Sequence, residues 1–249
     1  MTAPPAGPRP ASAIHLQGAV VTAPTAHADV TILHPTSLTL RERRIAVIGG
    51  NGSGKSTLAR LVNGLVEPSA GSVNIELQGD DGTRSLDTLR DGAAVRRAVG
   101  FVFTDPAAQL IMPTAVEDVS LSLRRSHRDP GARRAAALAA LDRFGLQPLA
   151  DRSVHTLSGG QKQLLAIASV LATDPAILVA DEPTTLLDLR NARMISRLLM
   201  SLPQQVIVVT HDLELAAQAD RALVVDDGRI VFDGDAPAAV AHYRSTVAP

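Results

Sequence analysis

Nine consecutive residues carry the clearest chemical pattern in this chain. In order, they are Gly49, Gly50, Asn51, Gly52, Ser53, Gly54, Lys55, Ser56 and Thr57. They satisfy the pattern G-x-x-x-x-G-K-[ST], in which glycines let the backbone curl so that successive N–H groups point inward. A helix that begins at the end of such a loop adds its partial positive charge. The pattern predicts a site for nucleotide phosphates, where Lys55 reaches the β- and γ-phosphates and Ser56 ligates Mg²⁺.

The residues on both sides of this loop place it between a strand and a helix. An apolar run at residues 45–48 leads into it, and apolar residues at positions 58, 61, 62 and 65 follow with helical spacing. Strand, loop, lysine, hydroxyl and helix in this order are the context that identifies a P-loop. A glycine-rich turn that binds nothing is the alternative, and it leaves this combination unexplained.

Two adjacent carboxylates, Asp181 and Glu182, follow a second apolar run at residues 177–180. Open α/β sheets bind their ligands at the carboxyl ends of the strands. We therefore expect Asp181 to hold Mg²⁺ through a water and Glu182 to polarise the water that attacks the γ-phosphate. An ordinary helix-capping carboxylate is the alternative, and the P-loop in the same chain favours the catalytic interpretation.

A second glycine-rich helix start stands at residues 157–161, which read Leu-Ser-Gly-Gly-Gln. Ser158 can cap the helix that follows, while Gly159 and Gly160 expose backbone N–H groups at its positive end. This is a second anion site, and one γ-phosphate does not need two such sites from one chain. Two chains packed head to tail, each covering the other's P-loop, would use both sites. A helix cap beside a turn is the alternative.

The elements that must position these groups indicate an α/β fold. Strand patterns at residues 14–21 and 32–40 are followed, after the P-loop helix, by an antiparallel edge-type strand at 73–77 and a polar loop at 78–85. Residues 99–103 are apolar throughout, as in a strand that is buried on both faces. The pattern then becomes helical from about residue 114 to residue 156, which predicts an inserted helical subdomain at about 105–160.

Strands and helices alternate again in the second half of the chain. Apolar strands at 177–180 and 206–210 are separated by an amphipathic helix, which favours a parallel sheet with helices on both faces. Near the end, apolar runs at 222–225 and 229–232 flank Asp-Asp-Gly, a hairpin signal.

Composition limits the class of protein. The 249 residues suit one large α/β domain with a small appended subdomain, and only 2% of them are aromatic, so the core is aliphatic. A net charge of −1 argues against a nucleic-acid binder. The absence of cysteine excludes disulfides and thiolate metal sites. No apolar run approaches the roughly 18 residues that span a bilayer, so any link to a membrane passes through a partner protein.

The first thirteen residues are rich in proline and alanine, with Arg9 as their one charged side chain. They lack the basic and apolar regions of a signal peptide. We therefore expect a disordered tail at residues 1–13 and a single domain at 14–249.

Taken together, these residues resemble the nucleotide-binding subunit of ABC transporters over roughly residues 14–235. Residues 157–161 are similar to the signature motif of that family, Leu187-Asp188 to its D-loop, and His211 to its switch histidine. The resemblance implies the ABC ATPase form of the P-loop NTPase fold, with a mostly parallel sheet, an N-terminal antiparallel β subdomain and an inserted helical subdomain. It also implies that His211 senses the γ-phosphate, although a lone histidine at a strand end is more often structural.

The resemblance further implies ATP and Mg²⁺ as cofactors and assigns residues to them. The nucleotide contacts that it implies are Gly49, Asn51, Gly52, Ser53, Gly54, Lys55, Ser56, Thr57, Thr104, Ser158, Gly159, Gly160, Gln161 and Asp188. The implied Mg²⁺ ligands are Ser56 and Asp181, and the implied catalytic residues are Glu182 and His211.

A closer resemblance is to the ATPases of energy-coupling factor (ECF) vitamin transporters. It is carried by residues 100–110 and 116–119, while residues 42–45 and 184–192 look most like the biotin-type member. This implies an ATP-hydrolysing energy-coupling subunit for biotin, with another vitamin or a metal ion as alternatives. The implied partners are a second ATPase chain packed head to tail in a homodimer, a transmembrane coupling protein and a substrate-binding membrane protein. The implied location is the cytoplasmic face of the cell membrane.

The chain departs from the family pattern at two places. Thr104 stands after Phe103 where a glutamine is expected, and no aromatic residue for adenine stacking occurs at 21–24, so base selectivity is expected to be loose. A soluble ATPase, such as one in iron–sulfur cluster assembly, is the competing class. The related DNA-repair ATPases need long coiled coils, and no sustained heptads occur here.

Overall fold

The computed structural model describes residues 12–25, 28–79 and 82–247. The strands and α-helices follow in the order β1 (Ser12–Ala23), β2 (Val30–Leu40), β3 (Arg44–Ile48), α1 (Lys55–Asn63), β4 (Ala70–Gly79), β5 (Gly82–Asp87), α2 (Gly92–Ala98), β6 (Val99–Val102), α3 (Ala115–Ser122), α4 (Pro130–Arg143), α5 (Gly159–Leu171), β7 (Ile177–Asp181), α6 (Leu189–Ser201), β8 (Gln205–Val209), α7 (Leu213–Ala216), β9 (Arg221–Asp226), β10 (Arg229–Gly234) and α8 (Ala236–Val247). Short 3₁₀ turns lie at Pro106–Ala108, Gln147–Leu149 and Val154–Thr156.

Within the described residues, the larger sheet has six strands in the order β10-β9-β3-β8-β7-β6. The strands from β9 to β6 are parallel, and β10 pairs antiparallel with β9 through the predicted hairpin. Strands β3, β7 and β8 are buried along their whole length, as expected when helices cover both faces of a parallel sheet. The carboxyl ends of β3 and β7 therefore deliver the P-loop and the acidic pair to one edge of the sheet.

The smaller sheet is antiparallel, with the order β2-β1-β4-β5, which confirms the predicted N-terminal β subdomain. Two details of the sequence analysis were wrong. The segment at 73–77 is not an edge strand, because β4 lies between β1 and β5. Part of the predicted polar loop at 78–85 is strand β5, which pairs Arg84 with Leu77 and buries Leu86. A strand at the edge of a sheet can be polar along most of its length, since one anchored apolar side chain and the backbone pairs hold it.

The N-terminal boundary also differs from the expected one. Ser12 and Ala13, which were assigned to the tail, form the start of β1. Ser12 pairs with Leu77 of β4, and its hydroxyl donates a hydrogen bond of 2.8 Å to the side-chain oxygen of Gln205 at the start of β8. These contacts order the chain two residues earlier than the apolar pattern indicates. The rest of the predicted tail, residues 1–11, lies outside the described residues.

The predicted helical segment at about 105–160 contains α3, α4 and the start of α5. Thr114 begins α3 with a capping box, and Asp129 caps α4, so both helices have defined starts. Their apolar faces meet α5 in a separate core cluster around Val119, Leu141 and Leu165. Ile167 of the same helix packs instead in the cluster that covers one face of the larger sheet. Helix α5 thus joins the helical part to the sheet. Within the described ranges, no helix has both the length and the apolarity needed to cross a membrane.

Candidate nucleotide site

The P-loop lies against the backbone of one strand from each sheet. A side-chain carbon added at Gly49 would lie 2.0 Å from the carbonyl oxygen of Val225 in β9. One added at Gly54 would lie 2.9 Å from the carbonyl oxygen of Ile32 in β2, and Gly54 also has a φ of +101°. Only glycine fits these two positions, because any larger residue would clash or be strained. Asn51 and Gly52 are exposed at the tip of the loop, and Thr57 is half-buried in the first turn of α1.

Lys55 is buried and points back into its own loop. Its Nζ donates hydrogen bonds to the carbonyl oxygens of Gly49 at 2.9 Å and Gly50 at 2.7 Å. Burial lowers the pKa of Lys55, while the charges of Glu182 and Asp181 act in the opposite direction. The ammonium is therefore desolvated and held by neutral carbonyl groups, an arrangement that a phosphate would improve.

The hydroxyl of Ser53 is a second group in the loop whose hydrogen bonding a ligand would complete. Ser53 is buried, and its Oγ has no hydrogen-bond partner among the described residues. An unsatisfied buried hydroxyl costs about 1–3 kcal/mol. A phosphate oxygen could accept this hydrogen bond, so the residues present fit a bound nucleotide.

Asp181, at the end of β7, is buried and contacts two residues of α1. Ser56 Oγ donates a hydrogen bond of 2.9 Å to Asp181 Oδ1, and Arg60 Nη2 lies 3.5 Å from Asp181 Oδ2. Burial raises the pKa of Asp181, and the Ser56 hydrogen bond and the Arg60 charge lower it. The two residues predicted to bind Mg²⁺ thus lie side by side. Arg60 was missed by the sequence analysis, although its i+4 spacing from Ser56 places both on one helix face.

Glu182 and His211 come together from the ends of neighbouring strands. His211 Nδ1 lies 2.7 Å from Glu182 Oε2, and Thr185 Oγ1 donates a hydrogen bond of 2.9 Å to the same oxygen. Glu182 has a φ of +51°, and its N–H donates to the carbonyl oxygen of Val209 at 2.9 Å. A positive φ in a glutamate is strained by about 1–3 kcal/mol, and such strain is concentrated at functional sites.

Thr104 follows β6 and reaches the same edge of the sheet. Its hydroxyl donates a hydrogen bond of 3.0 Å to the main-chain carbonyl oxygen of Asp181, rather than to its carboxylate. Gln109, five residues later, accepts a hydrogen bond of 3.2 Å from the N–H of Phe103. The loop after β6 therefore has a glutamine, but its side-chain oxygen binds the backbone of the loop itself.

The signature residues form a second group around the starts of α5 and α6. Ser158 accepts a hydrogen bond from the N–H of Gln161, whose side chain accepts one in return from the N–H of Ser158. Asp188 caps α6 by accepting from the N–H of Asn191. A carbon added at Gly160 would lie 2.5 Å from the side chain of Asn191, so the two helix starts pack closely. Among the described residues, no hydrogen bond or ion pair links this group to the P-loop or to Glu182.

A cavity of about 420 Å³ lies where the P-loop faces Glu182 and His211. Its lining residues are Gly49, Gly50, Asn51, Glu182, Thr185, His211 and Tyr243. Four of them, Gly49, Asn51, Glu182 and His211, were predicted as site residues from the motifs and from the family resemblance, whereas Thr185 was not. Tyr243 was not predicted, because it comes from α8 at the far end of the chain and no motif marks it.

A phosphate-binding loop and a buried acidic strand end on a parallel sheet define a nucleoside triphosphatase of the P-loop class. Residues 33–185, more than half of the chain, match the family model described as ABC transporter. The chain therefore belongs to the ABC transporter family, as an ATP-binding domain that acts as an ATPase. This confirms the predicted family, fold class and enzyme class.

Two relatives illustrate how close the similarity is. The biotin transport ATP-binding protein BioM of Rhizobium etli is 44% identical over 216 residues, which cover 87% of this chain and 92% of that protein. The energy-coupling factor transporter ATP-binding protein EcfA1 of Lactiplantibacillus plantarum is 36% identical over 211 residues, which cover 83% of this chain and 73% of that protein.

Solved structures with the same fold include two ATP-binding cassettes. The dimeric post-hydrolysis state of MJ0796 bound to ADP and phosphate has a TM-score of 0.76 at 31% identity, covering 89% of this chain and 98% of that one. The cbiO1 protein of Clostridium perfringens, described as part of the complex cbiONQ, has a TM-score of 0.76 at 30% identity, covering 93% of this chain and 92% of that one.

Proposed function

We propose that this chain is the ATP-hydrolysing subunit of an ECF-type importer and that the imported molecule is biotin. The names of BioM and EcfA1 support the class of transporter, and the BioM name supports the cargo. The chain would lie on the cytoplasmic face of the cell membrane, bound to a transmembrane coupling protein and a substrate-binding membrane protein. The description of cbiO1 as part of a transporter complex supports partners of this kind.

The observation that carries the enzymatic part is geometric. Lys55 binds the carbonyl oxygens of Gly49 and Gly50, which line one cavity with Glu182, and the next residue, Ser56, donates a hydrogen bond to Asp181. In the proposed site, the P-loop backbone and Lys55 hold the phosphates of ATP. Thr57 follows Ser56 in the first turn of α1 and completes the cradle. Glu182 accepts the proton of the attacking water, since its Oε1 has no hydrogen-bond partner among the described residues whereas Oε2 faces His211 and Thr185.

The residues beside the P-loop also fit a magnesium ion. The hydroxyl of Ser56 and the carboxylate of Asp181 are oxygen donors in direct contact, and Mg²⁺ prefers oxygen ligands with several retained waters. We propose that these two residues hold it, Asp181 through a water. The bound ion would offset the negative charge that builds up on the phosphates.

A second copy of the chain is proposed to complete the site. Ser158, Gly159, Gly160, Gln161 and Asp188 are proposed to contact the nucleotide that the partner's P-loop holds, in a head-to-tail pair. The dimeric MJ0796 structure supports pairing in a cassette of this fold. Binding of two ATP molecules would close the pair, and hydrolysis would reopen it.

Purification of the tagged chain from detergent-solubilised membranes of its own cells tests the transport proposal. Two membrane proteins are expected to co-purify, identified by mass spectrometry. Recovery without any membrane protein would overturn the importer and favour a soluble ATPase, such as one that serves iron–sulfur assembly.

The cargo is tested on the purified complex in proteoliposomes. Biotin is expected to stimulate ATP hydrolysis and to accumulate in an ATP-dependent manner, and a complex that carries Lys55→Ala serves as the inactive control. Stimulation by another vitamin or a metal ion, with no response to biotin, would overturn the assignment of the cargo and leave the importer in place.

A further inference from the structure

The cavity beside the P-loop is lined in part by a residue that lies outside the ATPase motifs. Tyr243 of α8 lines it together with Gly49, Gly50 and Asn51 on one side and the Glu182–His211 pair on the other. Its hydroxyl has no hydrogen-bond partner within residues 12–25, 28–79 and 82–247. A phenol is a donor and an acceptor, and beside a phosphate it acts as a neutral donor.

Tyr243 is held in place by apolar packing. Helix α8 packs on β9, β10 and α7, and the ring of Tyr243 contacts the core cluster on that face of the larger sheet. The neighbouring His242 stacks on Phe232 of β10 with 5.0 Å between ring centroids. Asp212, next to His211, caps α7, and α7 packs on α8. The helix that carries the phenol therefore packs on the helix that begins beside His211.

The lining of the cavity indicates which end of a nucleotide would meet the phenol. Glu182 and His211 line the part of the cavity where the terminal phosphate is proposed to be attacked. The adenine is expected near residues 21–24, at the end of β1 and just after it, where the family pattern has an aromatic residue. We propose that Tyr243 binds the terminal phosphate of ATP through its hydroxyl, as a further residue of the hydrolytic site. This rests on the roles proposed above for Glu182 and His211 and does not depend on the identity of the cargo.

A spectroscopic test uses the composition of the chain. Tyr243 is the single tyrosine and there is no tryptophan, so tyrosine emission reports on this residue alone. In Glu182→Gln, which keeps ATP intact, Mg-ATP is expected to change the emission and ADP is expected to change it much less. ATP and ADP absorb equally, so equal concentrations cancel the absorption by the base. An equal response to both nucleotides would overturn the placement at the terminal phosphate.

The second copy of the chain could in principle cause such a signal. The measurement is therefore repeated in Glu182→Gln combined with Gly159→Asp, where an added carboxylate repels the nucleotide of the partner. The response is expected to persist, because it arises from ATP bound by the same chain. Its loss would assign the signal to the partner and overturn the proposal.

A kinetic test separates the hydroxyl from the ring. Tyr243→Phe keeps the apolar packing and is expected to lower kcat/KM for ATP roughly three- to tenfold, the effect of one lost hydrogen bond, with ADP affinity unchanged. Arg244→Ala, an exposed change on the same helix, is the matched control. A Tyr243→Phe variant with wild-type kcat/KM for ATP would overturn the proposal. Calorimetric ATP binding is measured in parallel, so that failure to bind ATP is recognised as failure of the nucleotide site itself.

Discussion

The starts of α1 and α5 are both glycine-rich, and they differ in what their polar groups already bind. Gly54 caps α1 without any side-chain hydrogen bond, so the first N–H groups of that helix are available to an anion. Ser158 caps α5 in a reciprocal capping box with Gln161. The first helix start is incomplete on its own, whereas the second is already stabilised by its own side chains.

The same contrast holds for charge and strain. Around α1 lie a buried ammonium at Lys55, a Ser53 hydroxyl that no described residue pairs with, and a strained backbone at Glu182. The group around Ser158 and Asp188 is exposed, and its polar side chains bind the N–H groups of their own helices. A ligand would relieve the costs in the first group. The second group has its hydrogen bonds satisfied within the chain. It therefore suits contact with a nucleotide that is held by another protein chain.

The largest expected effect comes from removing the positive charge of the first group. Lys55→Ala should lower the rate of hydrolysis by at least roughly a hundredfold, because the ammonium is proposed to stabilise the phosphate charge that develops during cleavage. ATP binding, measured by calorimetry, should weaken as well. Thermal unfolding without nucleotide should change little, since the ammonium is desolvated and, among the described residues, its hydrogen bonds go to carbonyl oxygens alone. Turnover near the wild-type rate would contradict the P-loop assignment.

The next effect tests whether the P-loop of one chain and the signature segment of a second chain act on the same nucleotide. Lys55→Ala and Gly159→Asp chains, each inactive alone, should regain activity when mixed, because one of the two sites in a mixed pair has both intact groups. The measurement is steady-state hydrolysis over a range of mixing ratios, with each parent at the same total concentration as control. If the mixture stays as inactive as its parents, the signature segment acts within its own chain or is only structural.

A smaller effect compares two serines directly. Ser158→Ala should lower the free energy of unfolding by about 1 kcal/mol, the typical value of a lost helix cap. Ser53→Ala should not lower it, because that hydroxyl has no hydrogen-bond partner to lose in the described part of the chain, but it should weaken ATP binding. Denaturant unfolding and calorimetry of the two variants check both halves. Loss of stability in Ser53→Ala and none in Ser158→Ala would remove the contrast between the two helix starts.

The comparison also explains what the sequence could predict. The P-loop and the Asp181-Glu182 pair were predictable because each motif follows directly from a strand, and parallel strands bring their carboxyl ends together. The contact of Arg60 with Asp181 and the approach of Tyr243 depend on how distant elements pack, which no local pattern encodes. Strand β5 was missed because a strand that is mostly exposed lacks the apolar alternation by which strands are recognised.

The smallest effect concerns Thr104. It lies near the P-loop and Asp181, as the first group does, but its hydroxyl is already hydrogen-bonded within the chain, as the side chains of the second group are. Its hydroxyl already donates to the main-chain oxygen of Asp181 at 3.0 Å, so one donor is used before any ligand binds. Thr104→Ala loses a single neutral hydrogen bond, worth about 0.5–1.5 kcal/mol of stability. Because Lys55 and Glu182 remain, we expect the basal rate of hydrolysis to stay within roughly twofold of the wild type.

Replacement by the glutamine of the family pattern should act in the opposite direction. Thr104→Gln adds two heavy atoms along the side chain and an amide with both a donor and an acceptor, which can pass the main chain of Asp181 and reach the attacking water. We expect the isolated chain to hydrolyse ATP slowly and this variant to be faster. Thr104→Ser, which keeps the hydroxyl, is the matched control in the same steady-state assay. A large fall in rate for Thr104→Ala that Thr104→Ser does not share would contradict this expectation. It would show that the hydroxyl takes part in hydrolysis, so Thr104 would act together with Lys55 and Glu182.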